Sequence, residues 1–448
     1  MNTRFVPTHP PRGAGPVAVW RGFFGERART LVHGWSQRAF RDSHIDRVVL
    51  GYPVHIPLHP DAVQRVLLDN AANYVKPRLV KRLLEPTIGR GLLSSDGELW
   101  RDQRKIVAAS FTPPAVDALV PVFAVVASAA AEGWQSARRD MAAASTAATM
   151  EIIARSLFSG DARLTTQVAM DHITAAMEGV TDARLQVLLG MPLIPMSPRG
   201  WRGRQGQLYL RRTLGALVRE RGIGAADGDF LSRMIYALNE KFPAREAIDL
   251  AIDNAATFYL AGHETTANTI AWTLYLLSCV PQMQDEAAEE AAAPLAAGVD
   301  ANLPDRLPLL RRIVEESLRL YPAAPRFDRE AVAADRLGDV GIKPGTIVSI
   351  WPWLLHRHTR LWDDPDVFDP DRFLPEAKAG RHRFQYIPFG GGPRTCVGAR
   401  FATAEALTIL AVWLSRWRFA RDPQREVRVS GAVTLRPAGG LPLTLSRR

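Results

Sequence analysis

The sequence predicts a mainly α-helical chain with a small β region, organised as a single domain over residues 1–448. Three observations carry that expectation. Helical apolar spacing recurs over residues 100–221, 245–280 and 309–320. Runs of β-branched residues punctuated by Gly and Pro are confined to residues 47–56, to 337–355 and to VRVSGAVTLRP near the end. No internal repeat, low-complexity tract or linker divides the chain.

Composition narrows the function classes. With 448 residues, 47% of them hydrophobic, the chain is long enough for a deep interior site. Lys+Arg number 56 against 46 Asp+Glu, a formal charge of +10. The arginines are scattered and repeatedly followed by acids, a pattern that argues against nucleic-acid binding but leaves an acidic protein partner open. Only two cysteines are present, Cys279 and Cys396, too few for a disulfide framework or a thiolate zinc site and consistent with a reducing compartment. The lead-in over 1–44 is Pro-rich, with Arg4 and Arg12 and no apolar core, so it reads as neither signal peptide nor membrane anchor. The most apolar early stretch, 118–131, is broken by Pro121 and Ser128 and is shorter than the roughly 20 residues of a spanning helix. A soluble, cytoplasmic protein is expected.

Taken in order, residues 47–56 read as two short strands joined at Gly51-Tyr52-Pro53, and DAVQRVLLDN after them as a helix. Residues 100–221 are helical and Ala-rich. Within them Trp100 and Arg104 share a face at i, i+4, suited to an apolar plate with anionic edges or to an amphipathic surface. MPLIPMSPRGWRGRQG, across 190–206, reads as a loop or lid because of its prolines and glycines. Residues 247–280 form one helix of about 50 Å. The helix over 309–320 brings Glu316 and Arg319 together at i, i+3, either as a buried ion pair or as an exposed one of little worth. Residues 337–355 form a small sheet, residues 389–417 a loop followed by a helix, and the end a terminal hairpin.

Two segments carry chemistry. The long helix is apolar on most faces except at Ala261-Gly262-His263-Glu264-Thr265-Thr266. Mid-helix Gly and a buried carboxylate are both unfavourable, so something should offset them. Gly beside Ala admits a flat ligand, Thr hydroxyls can bond back to carbonyls and open the helix locally, and an acid next to an alcohol can relay protons. The alternative is a solvated polar face. In YIPFGGGPRTCVGARF a turn-rich loop presents Cys396 at a helix N-terminus, where the dipole favours the thiolate. Such a thiolate is a nucleophile, a metal ligand suited to haem iron, or simply a buried structural Cys. His356, His358 and His382 are the histidines able to fold near it. No Lys-Ser/Thr follows the glycines, which excludes a phosphate loop. Cys279, in LYLLSCV, reads as core.

With these residues in order the chain resembles a cytochrome P450, a haem-thiolate monooxygenase of the soluble bacterial type. Phe389, Gly392, Arg394, Cys396 and Gly398 match the signature F-x-x-G-x-R-x-C-x-G at every fixed position. Residues 261–266 match [AG]-G-x-[DE]-T-T, Glu316 to Arg319 match E-x-x-R, and Trp100 to Arg104 match W-x-x-x-R. Phe368 to Phe373 resembles the F-x-P-x-R-F segment, whose Arg372 joins the E-x-x-R pair in a buried triad. The resemblance implies haem b with Cys396 as its axial thiolate and metal ligand. It implies that Phe389 shields the sulfur, that Gly392 and Gly398 shape the loop, and that Ala261 and Gly262 flank the haem. Trp100, Arg104, Arg394 and, in preference to Arg326, Arg329 contact the propionates. Thr265 holds dioxygen and its water, with Glu264 in the proton relay.

The resemblance further implies insertion of one atom of O2 into an apolar small molecule, such as a fatty acid, terpenoid or steroid-like compound. Electrons come from a separate ferredoxin or flavodoxin with its reductase; no reductase is fused. The loop after Tyr74, the lid at 190–206, Phe258, Ala261, residues 323–327 and the turn near Ala432 would face substrate, and Arg78, Lys81, Arg82 and Arg326 hint at a carboxylate anchor. Other readings are a peroxide-driven or rearranging haem-thiolate enzyme and a haem-binding sensor without turnover.

Overall fold

The computed structural model describes residues 5–13, 30–225, 228–431 and 433–448. Much of the lead-in and Ala432 lie outside them. The chain gathers into two compact units made of interleaved segments: one takes in 1–74, 117–148 and 264–448, the other 75–116 and 149–263.

In the first unit, Leu50 and Gly51 turn the chain with φ of 48° and 85° between the antiparallel strands His44–Val49 and Tyr52–Pro57. Ile347–Ile350 adds parallel to the second strand and Phe327–Ala331 antiparallel to that; Tyr74–Val75 closes the edge. Both β regions expected from Gly and Pro punctuation are therefore present. Beside them Asp335–Leu337 pairs with Val340–Ile342. Val429–Ser430 pairs with Arg436–Pro437, the hairpin expected near the end. A final strand, Pro442–Arg447, was not foreseen. It joins Trp417–Arg421 and Arg138–Asp140, and its alternation is only Leu443 and Leu445 inward, too short a signal to read.

The helix Ala399–Arg416 forms the core of this unit, with twelve buried residues. Val120–Glu132 lies along it: Phe123 meets Phe401 edge to face at 4.9 Å, and Trp413 Nε1 donates to the Ala127 carbonyl at 3.0 Å. By length and composition residues 113–132 reach the size of a membrane span, extending beyond the apolar stretch 118–131 at both ends. Two helices share the stretch, Pro113–Asp117 and Val120–Glu132, and 39% of it is buried.

In the second unit the expected lid is mostly helix. Pro198–Glu220 is continuous, started by Ser197, whose Oγ accepts from the Gly200 N–H at 2.9 Å, with Pro198 in the first turn. Two of its glycines are packing residues. A Cβ on Gly203 would lie 2.6 Å from Gly179 Cα, and one on Gly206 would lie 2.1 Å from the His172 carbonyl oxygen, both on the helix Gln167–Asp182. Phe258 is likewise core, 7% exposed, against Phe111 at 5.7 Å and Phe230 at 5.3 Å.

The long helix spans Ala244–Cys279, 36 residues and about 54 Å. Residues up to His263 belong to the second unit and those from Glu264 to the first. It runs unbroken through 261–266. Thr257 and Thr269 do bond back, to the Asp253 and Thr265 carbonyls at 2.8 and 2.9 Å, but these bonds supplement the backbone ladder and do not open it.

Candidate active site

The cysteine loop is built by its glycines. Gly390 and Gly392 take φ of 71° and 66°, a region L side chains disfavour. A Cβ on Gly392 would fall 1.7 Å from the Leu67 carbonyl oxygen, and one on Gly391 would fall 2.6 Å from Phe384. The loop thus lies flush on its own unit along one side. It closes on itself: the Cys396 N–H donates to the Phe389 carbonyl at 2.9 Å, and the Thr395 N–H and Oγ1 both donate to the Gly392 carbonyl, at 3.1 and 2.8 Å. Cys396 is exposed, two residues before Gly398, the N-cap of Ala399–Arg416. Arg394 is half-buried on the same loop. Just upstream, the Ile387 N–H donates to Nε2 of His356 at 2.9 Å. Burial, then Arg319 and Arg357, hold His356 well below its ordinary pKa of 6.5, so it is a neutral acceptor that shapes the loop.

Cys279 contrasts with it. This thiol ends the long helix, and burial pushes its pKa up. Of the two sulfurs, only Cys396 is presented outward from a helix N-terminus.

The acid–alcohol segment is held by a residue that sequence reasoning missed. Thr434 Oγ1 donates to Glu264 Oε1 at 2.6 Å. The turn carrying Thr434 is tied to the same helix by Trp272, whose Nε1 donates to the Leu435 carbonyl at 3.1 Å and whose ring stacks on Tyr321 at 3.9 Å. Glu264 and Thr265 are half-buried, between residues 251–260 and 266–278, which are all buried. Behind them Glu405 is fully buried beside Thr266, and burial lifts its carboxyl well above the usual range against the opposing Thr266 bond. No spacing signal linked Thr434 or Glu405 to this segment.

The E-x-x-R pair resolves to the buried alternative. Glu316 and Arg319 have no exposed side-chain surface. Arg319 donates to the carboxylate through Nε at 2.6 Å and Nη2 at 2.7 Å. Its remaining donors reach the carbonyls of His356, Pro365 and Val367 at 2.7–3.0 Å. Arg372 Nε lies 3.8 Å from Glu316, and the Asp369 N–H donates to it at 2.9 Å. Just before Phe327–Ala331, Arg326 is committed to Asp328 by two bonds of 2.8 and 2.6 Å, whereas Arg329, buried on that strand, donates to the Asp328 carbonyl at 2.9 Å.

These residues share the first unit. Trp100, Arg104, Ala261 and Gly262 belong to the second. Trp100 and Arg104 are half-buried on Gly97–Ala108, a helix oriented by buried Gln103, which bonds the Arg90 carbonyl and Asn254 at 3.1 and 2.6 Å. Ala261 is exposed. Gly262 has a packing reason, since a Cβ there would lie 2.6 Å from Ile153 Cδ1. Of the cations considered as a carboxylate anchor, Lys81 is paired with Asp96 at 2.7 Å and Arg82 donates to the Met191 carbonyl.

Among the described residues no three His, Cys, Asp or Glu side chains converge on a common metal position. One outward thiol on a backbone-braced loop fits instead an iron whose remaining donors a macrocycle would supply. The cytochrome P450 family model matches residues 40–439. The chain belongs to the cytochrome P450 family. It is 31% identical over 398 residues to cyclooctatin synthase of Streptomyces melanosporofaciens, covering 86% of this chain and 84% of that one. It is 29% identical over 419 residues to human cytochrome P450 4F12, covering 87% and 79%. The crystal structure of CYP175A1 from Thermus thermophilus superposes with a TM-score of 0.72 at 27% identity, over 90% of this chain and 91% of that one. This P450 is therefore a haem-thiolate monooxygenase, an oxidoreductase that incorporates molecular oxygen, and its cofactor is iron protoporphyrin IX.

Proposed function

We propose that this P450 oxygenates a neutral apolar small molecule, with Cys396 as the axial thiolate, as one catalytic domain. The observation that carries the assignment is the contrast between the two thiols: Cys396 exposed on a closed loop before a helix, and Cys279 half-buried at a helix end, where burial raises its pKa. The interleaving of the two units supports one domain, since neither is a continuous stretch of chain.

When bound, the haem supplies the oxygen-activating chemistry; the protein supplies ligation, orientation and protons. Phe389 and the loop glycines brace the sulfur from the chain side. Trp100, Arg104, Arg394 and Arg329 would anchor the propionates through charge-assisted bonds. The commitment of Arg326 to Asp328 favours Arg329 for that role. Thr434 holds the Glu264 carboxylate beside Thr265, a disposition suited to delivering protons at the Thr265 hydroxyl.

Ala261, Ala323, Ala324 and Phe327, among the positions expected to face substrate, are apolar. Because Lys81, Arg82 and Arg326 already have partners, a terpenoid or steroid-like substrate is favoured over a fatty acid held by its head group. Electrons would come from a separate ferredoxin or flavodoxin with its reductase, in the cytoplasm.

The reduced CO difference spectrum tests ligation. Wild type should give the thiolate-type band and Cys396→Ser should lose it, while Cys279→Ser keeps it. A thiolate band in Cys396→Ser would overturn the assignment. Titrating the ferric spin shift with a carboxylic acid and its methyl ester tests the substrate class: comparable affinities are expected, and a strong preference for the acid would restore the anchor.

A further inference from the structure

We infer that Asn254 and Gln103 are positioning residues for the haem: their buried amide pair sets the rotation of the helix Gly97–Ala108 and, through it, the placement of Trp100 and Arg104. The inference rests on the reading above in which those two side chains hold the propionates. All four residues belong to the second unit. Of the twelve residues in Gly97–Ala108, only Gln103 and Val107 are buried. The hydrophobic contribution of one valine is non-directional and does little to resist turning of the helix about its axis. At the helix start Asp96 makes no side-chain cap bond; its carboxylate accepts from the Lys76 N–H at 3.1 Å and pairs with Lys81. From the buried face of the helix, the directional contact is the amide of Gln103.

That amide and its partner are wholly buried and completely bonded. Asn254 Nδ2 donates to Gln103 Oε1 at 2.6 Å and to the Leu250 carbonyl at 2.9 Å, while its Oδ1 accepts from the Leu92 N–H at 2.9 Å. Gln103 Nε2 donates to the Arg90 carbonyl at 3.1 Å and to Ser95 Oγ at 3.2 Å. Both side-chain N–H groups of each amide are therefore used. The connection 89–95 that these bonds reach lies flush on the long helix. A Cβ on Gly91 would fall 2.7 Å from the Asp253 carbonyl oxygen, and the Arg90 N–H donates to Asp253 Oδ2 at 2.7 Å. Long helix, connection and Gly97–Ala108 are thus joined by one polar network, and a buried network with every member satisfied specifies a single arrangement.

Helical spacing turns that arrangement into placement. At 3.6 residues per turn Trp100, Gln103, Arg104 and Val107 fall within about 100° of arc, so the bonded face borders the face carrying Trp100 and Arg104. A rotation of about 10° moves a side-chain atom roughly 6 Å from the helix axis by about 1 Å, more than a binding constellation tolerates. Because every bond of the network lies within the chain, Trp100 and Arg104 are presented in place before any haem arrives, and binding need not order them.

The test is haem transfer from the full-length, haem-loaded enzyme to excess apomyoglobin, read together with the haem midpoint potential and the urea midpoint. Gln103→Met keeps the length and removes the amide; Asn254→Leu removes the other half of the pair. Each should speed haem loss about fivefold, the size of one hydrogen bond. Each should also lower the midpoint potential, because a propionate left less neutralised favours the ferric state. In an Arg104→Ala background, or Trp100→Phe if that variant does not load haem, Gln103→Met should add no more than about twofold to haem loss while still lowering the urea midpoint, since both changes act at one contact. An undiminished effect of Gln103→Met in that background would make the pair a structural contact only and overturn the proposal. So would wild-type haem loss and potential in both amide variants while Arg104→Ala loses haem, an outcome that leaves the propionate reading standing. Wild-type behaviour of both Arg104→Ala and Trp100→Phe would remove that reading and the proposal with it.

Discussion

Arg319 and Glu316 form a bidentate pair, 2.6 and 2.7 Å, with neither side chain reaching solvent. Five N–H donors meet five acceptors, so the guanidinium leaves no bond unmade. Arg319→Ala removes the charge and all five of those bonds, stranding Glu316 in the interior. Removing a partner from a buried pair costs about 3–5 kcal/mol. Urea unfolding of the haem-loaded protein should show that loss, and a change below about 1 kcal/mol would mean the pair is more hydrated than its burial implies.

His356 gives the pH dependence a direction. The fold refuses a proton that the unfolded chain accepts near pH 6.5, because burial and the Arg319 and Arg357 charges disfavour imidazolium and Nε2 already accepts from Ile387. Its contribution is therefore whole above pH 6.5 and declines as pH falls below it, by up to about 1.4 kcal/mol per unit. His9, His55 and His358 are shifted the same way, so the chain as a whole should weaken on acidification. Urea midpoints between pH 7.5 and 5.5 should fall for wild type and fall less steeply for His356→Gln; equal slopes would show that His356 is not held neutral.

How far these features could be read in advance depended on sequence distance. Glu316 and Arg319 are three residues apart on one helix, and Cys396 follows its glycines directly, so local spacing carried both. Thr434 reaches Glu264 across 170 residues, and no period or motif encodes that pairing. Pro198, Gly200, Gly203 and Gly206 suggested a loop because composition reports backbone preference alone. The space a helix partner leaves is a tertiary fact, and it decided the matter at Gly203 and Gly206. Phe258 shows the limit of composition from the other side, since an apolar residue suits a core and a substrate pocket equally.

Gly206 allows the helix-packing account to be tested by sign. Gly to Ala inside a helix ordinarily gains about 1 kcal/mol. Here the new methyl would sit 2.1 Å from the His172 carbonyl oxygen and force two helices apart, so Gly206→Ala should instead lose about 2 kcal/mol. Gly200→Ala, whose Cβ meets its nearest neighbours at 3.4 Å, is the matched control and should be neutral or stabilising. A stabilised Gly206→Ala would refute close packing as the reason for the glycine.

Thr434 bears most directly on turnover. Its hydroxyl donates to Glu264 at 2.6 Å, and Trp272 fixes the neighbouring carbonyl, so the carboxylate is oriented from a segment distant in sequence. Thr434→Val keeps the shape and removes the donor. One such bond is worth about 1 kcal/mol, a roughly fivefold change in how often Glu264 is held in place. If Glu264 passes protons to Thr265, product formed per electron pair consumed should fall in Thr434→Val with little change in the substrate-induced spin shift. Thr434→Ser, retaining the hydroxyl, should restore coupling. Thr265→Ala should uncouple more strongly, and adding Thr434→Val to it should bring little further loss, because both changes interrupt one path. Unaltered coupling in Thr434→Val would remove the Glu264–Thr434 bond from the account of proton delivery.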